Sequence, residues 1–524
     1  MKAVSFIILF HLINIYYVLL IDGENSGLIT HCQWYNRYDF DVGVIFNCNN
    51  SENEVESTKS NRNGEIYFND ADGIECFSID KSRQRYCNKH MIDAIQFKGC
   101  SLHHIPYTTF RAYPFIRLLD ISRLGLASLQ PEHLQQGAKR SWDLFAQNNE
   151  LREIPAFLFI NAGSVVRVDL SYNKIKRIDP QGFIGANDLS SLDLSGNKIE
   201  IISEHALRGL VNLTHMNLAH NQITEIHSFA FVGLNRLYHL DISHNLISVL
   251  EDRTFANLSR LNRLQLSYNQ IYLIKPYAFA TALSLSRLDL SHNNITDEQI
   301  FENLYNLLHL DLSHNPINEL GIGTFAKLVK LEHLDMGHTN LTDIELGTFS
   351  YSRGLISLDL SENNLKTLDF GLFLPAFRYM ESLYLDGNKL SDMEGFSNSL
   401  FPRLNALGIT NNNFNCTYLK QFMRSVDWEQ IRLPVDRMPL NIHKTNIRGV
   451  ECDTVESNVS SMEANVVSQP DNEQSNMVTA ELNHAIETVI RHLPAVNAVS
   501  DSDMKIIKLP RTNGSHPNVM ILVW

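Results

Sequence analysis

Positive charge is what this chain is short of. Its 524 residues carry 44 Lys and Arg against 58 Asp and Glu, a formal net charge of -14. That balance argues against nucleic acid or an anionic membrane as the main partner. Cysteine is scarce too, at seven residues, and the number is odd, so at least one thiol cannot pair within the chain. No two cysteines stand at CxxC spacing, which removes the usual cysteine zinc site. Long apolar runs are missing after the first two dozen residues, where none approaches the ~18 residues of a membrane helix. Yet 44% of the residues are hydrophobic, as in a folded protein. A chain this long exceeds one ordinary core, unless the fold grows in one dimension.

One stretch shows that it does. Leu237-Tyr238-His239-Leu240-Asp241-Ile242-Ser243-His244-Asn245-Leu246-Ile247 reads LxxLxLxxNxL, the leucine-rich-repeat pattern. The pattern returns every 22 to 25 residues, its asparagine falling on Asn149, Asn173, Asn197, Asn221, Asn245, Asn269, Asn293, Asn315, Asn363, Asn388 and Asn412. Cys100, Leu124 and Thr339 take that place in three irregular copies. The expected fold is an α/β solenoid, a horseshoe of about 14 repeats with a parallel concave β-sheet. Leu237, Leu240, Ile242, Leu246 and later apolar residues are expected inside, and stacking of neighbours is what buries them. The asparagine is expected to satisfy turn backbone groups of adjacent coils. Phe183, Phe231, Phe255, Phe279, Phe325, Phe349 and Phe373 are expected to stack behind the sheet.

The ends differ from the middle. Residues 1–23 read as a secretory signal, with a retained signal anchor as the alternative. Residues 24–91 do not repeat and hold Cys32, Cys48, Cys76 and Cys87. An open solenoid end needs cover, so this segment reads as a cap with Cys32–Cys48 and Cys76–Cys87 bridges. The repeats run over 92–415, with a possible bend at Gln135–Lys139 and an altered outer segment at Asp297–Ile300. A second cap follows over 416–452, clamped by a Cys416–Cys452 bridge over a helix that buries Leu419, Phe422, Met423 and Val426 on one face. Cys100 then remains, either buried in the ladder or bridged to a partner. Residues 453–524 read as a flexible acidic tail with one short helix at Leu482, Ile486, Val489 and Leu493. Eight Asn-x-Ser/Thr sequons fit a secreted glycoprotein: Asn49, Asn212, Asn257, Asn294, Asn340, Asn415, Asn458 and Asn513.

Strand residues alternate between faces, so the outward positions of the LxL segments form columns on the concave side. Six places before the asparagine stand His215, His239, Arg263, Arg287, His309 and His333. Four places before it stand Asp241, Asp289 and Asp311. One place before it stand His220, His244, Tyr268, His292 and His314. These residues are the expected protein-binding surface. Sets such as Asp311, Ser313 and His314 imitate a hydrolytic triad. A triad, however, needs one positioned nucleophile with an oxyanion site, and this set recurs only because the repeat recurs. No catalytic residue, cofactor or metal ligand is assigned, because sheet spacing does not impose tetrahedral closure on His215, His220, His239 and His244. Histidines beside an acidic column are expected to titrate near ~6.5 or higher, so that an acidic partner would bind better below pH 6.

Two edges of the array carry a narrower resemblance. Ile95-Gln96-Phe97-Lys98-Gly99-Cys100-Ser101-Leu102-His103-His104-Ile105-Pro106 opens it. Asn413-Phe414-Asn415-Cys416-Thr417-Tyr418-Leu419-Lys420-Gln421-Phe422, with the later Cys452, closes it. Residues 76–452 resemble secreted leucine-rich-repeat proteins of insects, most of all the mosquito leucine-rich-repeat immune proteins. The resemblance implies a haemolymph horseshoe without enzymatic activity, some of whose relatives pair through a disulfide and a C-terminal coiled coil to hold a complement-like thioester protein. This chain has no long coiled coil and no double cysteine after its cap, so it resembles a coil-less member. The expected function is extracellular recognition in innate immunity, with a complement-like protein or a pathogen surface component as partner. A cell-adhesion or guidance protein is the alternative.

Overall fold

The computed structural model describes residues 115–134, 140–296, 304–345, 347–370, 376–437 and 444–454, together with strands outside those ranges. Those strands are Val42–Asn47, Thr58–Ser60, Ile66–Phe68, Glu75–Ser78, Ala94–Lys98, Lys505–Lys508 and Met520–Val523. By compactness the chain divides into Met1–Val455 and Glu456–Trp524.

The first unit is organised by a 16-stranded sheet. Fourteen of its strands come one per repeat, from Ala94–Lys98 to Ala406–Gly408, each parallel to its neighbours. Successive repeats therefore stack as a leucine-rich-repeat solenoid. Short paired strands run along a second side, such as Ile201–Ile202 with Glu225–Ile226 and Val249–Leu250 with Leu273–Ile274. Leu237, Leu240, Ile242 and Ile247 are fully buried. Leu246 points outward instead and is 41% exposed, since Ile247 lies on the inward side of that turn.

The asparagine ladder is complete at Asn245. Its Nδ2 donates to the carbonyls of Leu218 and Ile242 at 3.0 Å, and its Oδ1 accepts from Ile223 N–H at 3.0 Å. One side chain thus satisfies backbone groups of two coils. Thr339 can do only part of this, its single hydroxyl proton lying within reach of Met336 O at 2.8 Å and Asn363 Oδ1 at 3.0 Å. The backbone compensates after Pro316, where Ile317 N–H turns to Asn315 O. Phenylalanines stack behind the sheet at ring separations of 5.5–6.0 Å, in the pairs Phe159–Phe183, Phe231–Phe255, Phe255–Phe279 and Phe325–Phe349. Leu207, fully buried, takes the place of a phenylalanine between Phe183 and Phe231.

Segments before and after the repeats pack onto the two ends of the array. Val42–Asn47 adds in parallel to Ala94–Lys98 and takes Glu75–Ser78 antiparallel on its other edge. At the far end Cys416–Ser425 is an α-helix, N-capped by Asn415, whose side chain accepts from Thr417 N–H. Leu419, Phe422 and Met423 pack inward, and Cys416 is bonded to Cys452. Glu456–Trp524 contains an antiparallel pair, Lys505–Lys508 with Met520–Val523, that hydrophobic periodicity did not suggest.

Several expectations lie outside the described residues. They are the signal at 1–23, Cys32, Cys48 and Cys87 with their two bridges, Cys100, the bend at 135–139, the segment at 297–300, Phe373, the helix at 482–493, and Asn49, Asn458 and Asn513. Among the described residues, no helix is long and apolar enough to cross a membrane.

Candidate partner-binding face

The regular register turns the sequence columns into physical ladders. His215 pairs with His239, His239 with Arg263, Arg263 with Arg287, Arg287 with His309 and His309 with His333. In the middle ladder Asp289 pairs with Asp311 and Asp311 with Asp335, while Asp241 faces Asn217 and Gln265. All of these side chains share one face of the sheet.

The third column is not part of the strands. Its residues sit in the turn just before the asparagine, with φ between 52° and 56° at Tyr172, His220, His244, Tyr268, His292, His314 and His338. This left-handed backbone sends each ring along the sheet, onto the ring of the next repeat. The outcome is a continuous stack from His220 through His244, Tyr268, His292 and His314 to His338, with centroid separations of 3.9–4.3 Å and planes within 13°. At Gly196 the same position is bare and the Tyr172 ring lies over it, so that a Cβ there would come within 2.7 Å of that ring.

A fourth column escaped the sequence reading. At the start of each of these strands, two successive N–H groups donate to one carbonyl of the previous repeat. Tyr238 and His239 both donate to Thr214 O, and Glu332 and His333 both to Leu308 O. Such a doubled bond is the mark of a bulge and puts two consecutive side chains on one side. Thr214 Oγ1 and His215 Nδ1, from neighbouring residues, accordingly lie 2.9 Å apart. Thr214, Tyr238 and Glu332 therefore extend the face outward. No simple two-residue alternation reveals them.

The serines between the columns serve the turn. Ser243 donates its hydroxyl to Asp241 Oδ1 at 2.7 Å and its N–H to the same oxygen at 2.9 Å, and Ser313 does the same to Asp311. The hydroxyl is thereby oriented toward a carboxylate rather than toward a histidine, which leaves no nucleophile–base pair in these sets. The second carboxylate oxygen stays available to the groove. At the C-terminal end Arg437 uses it: its guanidinium meets Asp359 Oδ2 at 2.5 Å, lies 3.8 Å from Asp386 and sits 3.7 Å over the Tyr384 ring. The groove beside it, about 420 Å3, is lined by Arg263, Arg287, Asp289, His309, Asp311 and Asp335 among others.

Burial, helped by neighbouring like charges, shifts titration in a direction opposite to the one expected. Partial burial, then His333 and Arg287, push His309 down to about 4. His215, His244 and His314 are also held below the ordinary imidazole value, by burial and then by neighbouring histidines. Burial and then Asp359 push Asp335 up to about 7, and burial raises Asp311 and Asp169. In-register pairing sets His309 beside His333 and Arg287, and His215 beside His239, which adds to the effect of burial.

Among the sequons, Asn257, Asn294 and Asn340 are exposed. Asn212 is half-buried and its amide donates to Asn187 O; Asn415 caps the last helix.

This architecture is that of a leucine-rich-repeat protein. The leucine rich repeat family model matches residues 144–199, 189–247, 235–295 and 296–341. Solved structures that share the fold include those of mosquito immune proteins. The APL1 leucine-rich repeat domain is 22% identical with a TM-score of 0.56, the match covering 69% of this chain and 90% of that one. The LRIM1/APL1C complex is 22% identical with a TM-score of 0.57, over 76% and 67%. The APL1B leucine-rich repeat domain is 22% identical with a TM-score of 0.50, over 64% and 94%. At this identity the likeness is one of fold. No curated protein sequence matches the chain.

Proposed function

We propose that this is a secreted, glycosylated recognition protein that binds a protein partner on its concave face, in innate immunity. The observation that carries the reading is the row of in-register polar ladders, mostly half-buried and lining one groove. Each aspartate spends one carboxylate oxygen on its turn serine, which leaves the other for a donor from a partner. Arg437 illustrates the chemistry: a guanidinium held by two carboxylates and stacked on a tyrosine is how a basic side chain of a partner would be received along Asp241, Asp289 and Asp311. The fold shared with the LRIM1/APL1C complex supports a protein partner and an immune setting. Solvent exposure of Asn257, Asn294 and Asn340 agrees with glycans there.

The test is capture from the animal's own extracellular fluid, followed by mass spectrometry. Wild type is compared with a double variant, Asp289→Asn with Asp311→Asn, which removes the charge but keeps an Oδ1 acceptor for the turn, as Asn217 does, with melting checked alongside. Loss of one defined protein from the variant supports the reading. An identical set of captured proteins sinks it. Running the same material without reductant shows whether an odd cysteine joins the partner. Recovery from cell surfaces or matrix in place of fluid would favour an adhesion role.

A further inference from the structure

We propose that His309, Glu332 and His333 form a three-ligand site for a zinc-class divalent cation at the edge of the concave face. The site stands whether or not the groove binds a protein.

Glu332 and His333 are consecutive, and in a regular strand their side chains would point to opposite faces. Here Leu308 O accepts from both N–H groups, at 2.9 Å each, and the doubled bond turns the two side chains the same way. His309 is in register with His333 on the adjacent strand, the rings stacked at 4.4 Å and 3°. One ligand atom from each of the three residues lies within 4.8 Å of the others, and all three residues are half-buried. Among the described residues no ion pair engages the Glu332 carboxylate.

Two imidazoles and a carboxylate make the donor set of an open zinc site, with the fourth place left for water or an incoming group. Oxygen-seeking calcium and magnesium suit it poorly. Ligand atoms about 2.1 Å from a tetrahedral ion lie roughly 3.4 Å apart. Parallel stacked rings cannot both aim a lone pair at one ion, so binding requires one imidazole to rotate out of the stack about its Cβ–Cγ bond. Arg287, in register on the other side of His309, limits the cluster to these three ligands. The molecule carries its own control. His215 and His239 occupy the same column in adjacent repeats, but the place of Glu332 is held there by Tyr238, so that pair lacks the carboxylate.

The experiment is equilibrium dialysis of the full chain against zinc chloride alone, with cobalt substitution read by its visible spectrum. Wild type should bind about one zinc through this site with a tetrahedral cobalt spectrum. His309→Ala, Glu332→Gln and His333→Ala should each weaken that zinc by at least the roughly tenfold that loss of even an outer-shell partner causes. His239→Ala should leave it intact. Equal zinc binding in wild type, His309→Ala and Glu332→Gln overturns the proposal, as does loss in His239→Ala alone. Melting in EDTA confirms that each variant is folded. Should a histidine variant unfold, the isosteric Glu332→Gln decides by itself.

Discussion

Arg437 reaches Asp359 across 78 residues of sequence, placing a guanidinium from the C-terminal cap 2.5 Å from a carboxylate of the concave sheet. The same cation is 3.8 Å from Asp386, whose side chain is wholly buried. Asp386 Oδ1 accepts from Thr410 N–H and Oγ1–H, while its Oδ2 takes no hydrogen bond among the described residues. Arg437 thus supplies the nearest countercharge for that second oxygen. Arg437→Gln is expected to cost about 1–3 kcal/mol, less than for a fully buried pair because the guanidinium is partly exposed. The loss should shrink on acidification, since burial raises Asp386 and its protonation removes the uncompensated charge. Thermal melting at pH 8 and pH 5 reads both effects. An unchanged melting temperature at pH 8 would remove Arg437 from the structural account.

The asparagine ladder and the columns beside it should behave as opposites. Asn245→Ala strands the buried N–H of Ile223 and removes one of the two amide donors to the carbonyl of Leu218, which keeps Asn221 Nδ2; at ~1–3 kcal/mol per stranded buried group, a loss of about 1–3 kcal/mol is expected. His239→Ala, one strand length away, removes a half-buried side chain hydrogen-bonded to Gln265 Oε1 and should cost under ~1 kcal/mol. Urea unfolding of the two variants measures the contrast. Equal losses would mean that the ladder is not what holds adjacent coils together.

The division between these two kinds of residue was legible in the sequence because the repeat is. A buried Asn245 and an outward His239 follow from the repeat pattern and from the two-residue period of a strand. Three things did not follow. The residue before the asparagine leaves the strand for left-handed backbone, so His292 stacks on Tyr268 and His314 where a strand position would only have faced the groove. The doubled hydrogen bond at Leu308 O breaks alternation and swings Glu332 beside His333. Arg437 lies far outside the repeats, and nothing in a local pattern brings it to Asp359. The expected direction of histidine titration failed because stacking of the repeats partly buries His215, His244, His309 and His314, and the fixed register then adds like-charged neighbours.

Closure of the C-terminal cap rests on a covalent link that spans 36 residues, Cys416 to Cys452. Constraining a loop of that length in the unfolded chain is worth about 3–4 kcal/mol in the entropy account. Serine at both positions should therefore loosen the cap before the repeats. The expected sign is early proteolytic cleavage between residues 416 and 452, with the Asn245 ladder still protected in hydrogen exchange. Simultaneous loss of cap and ladder protection would show instead that the whole solenoid unfolds as one cooperative unit.

Asp335 should make the folded protein more stable in acid than its other carboxylates would suggest. Its folded pKa of about 7 stands above an ordinary value of 3.8, raised by burial and by Asp359. The folded state therefore holds this proton more tightly than the unfolded chain does. The resulting stability is fully present below about pH 4 and is lost as pH rises to about 7. His309 works in the opposite sense, since its folded pKa of about 4 lies below 6.5, and its contribution is lost as pH falls across that interval. The wild-type curve mixes the two, so the difference from Asp335→Asn is the quantity to measure, with EDTA present to exclude metal. Asparagine keeps an acceptor for Gly337 N–H, which Asp335 Oδ1 now takes at 2.9 Å. Asp335→Asn is expected to raise the melting temperature at pH 8 by a few degrees, with the gain fading through pH 6 and gone at pH 4. A gain that is the same at pH 4 and pH 8 would assign it to packing, and a loss at pH 8 would mean that the Asp335 carboxylate is paired in the folded protein.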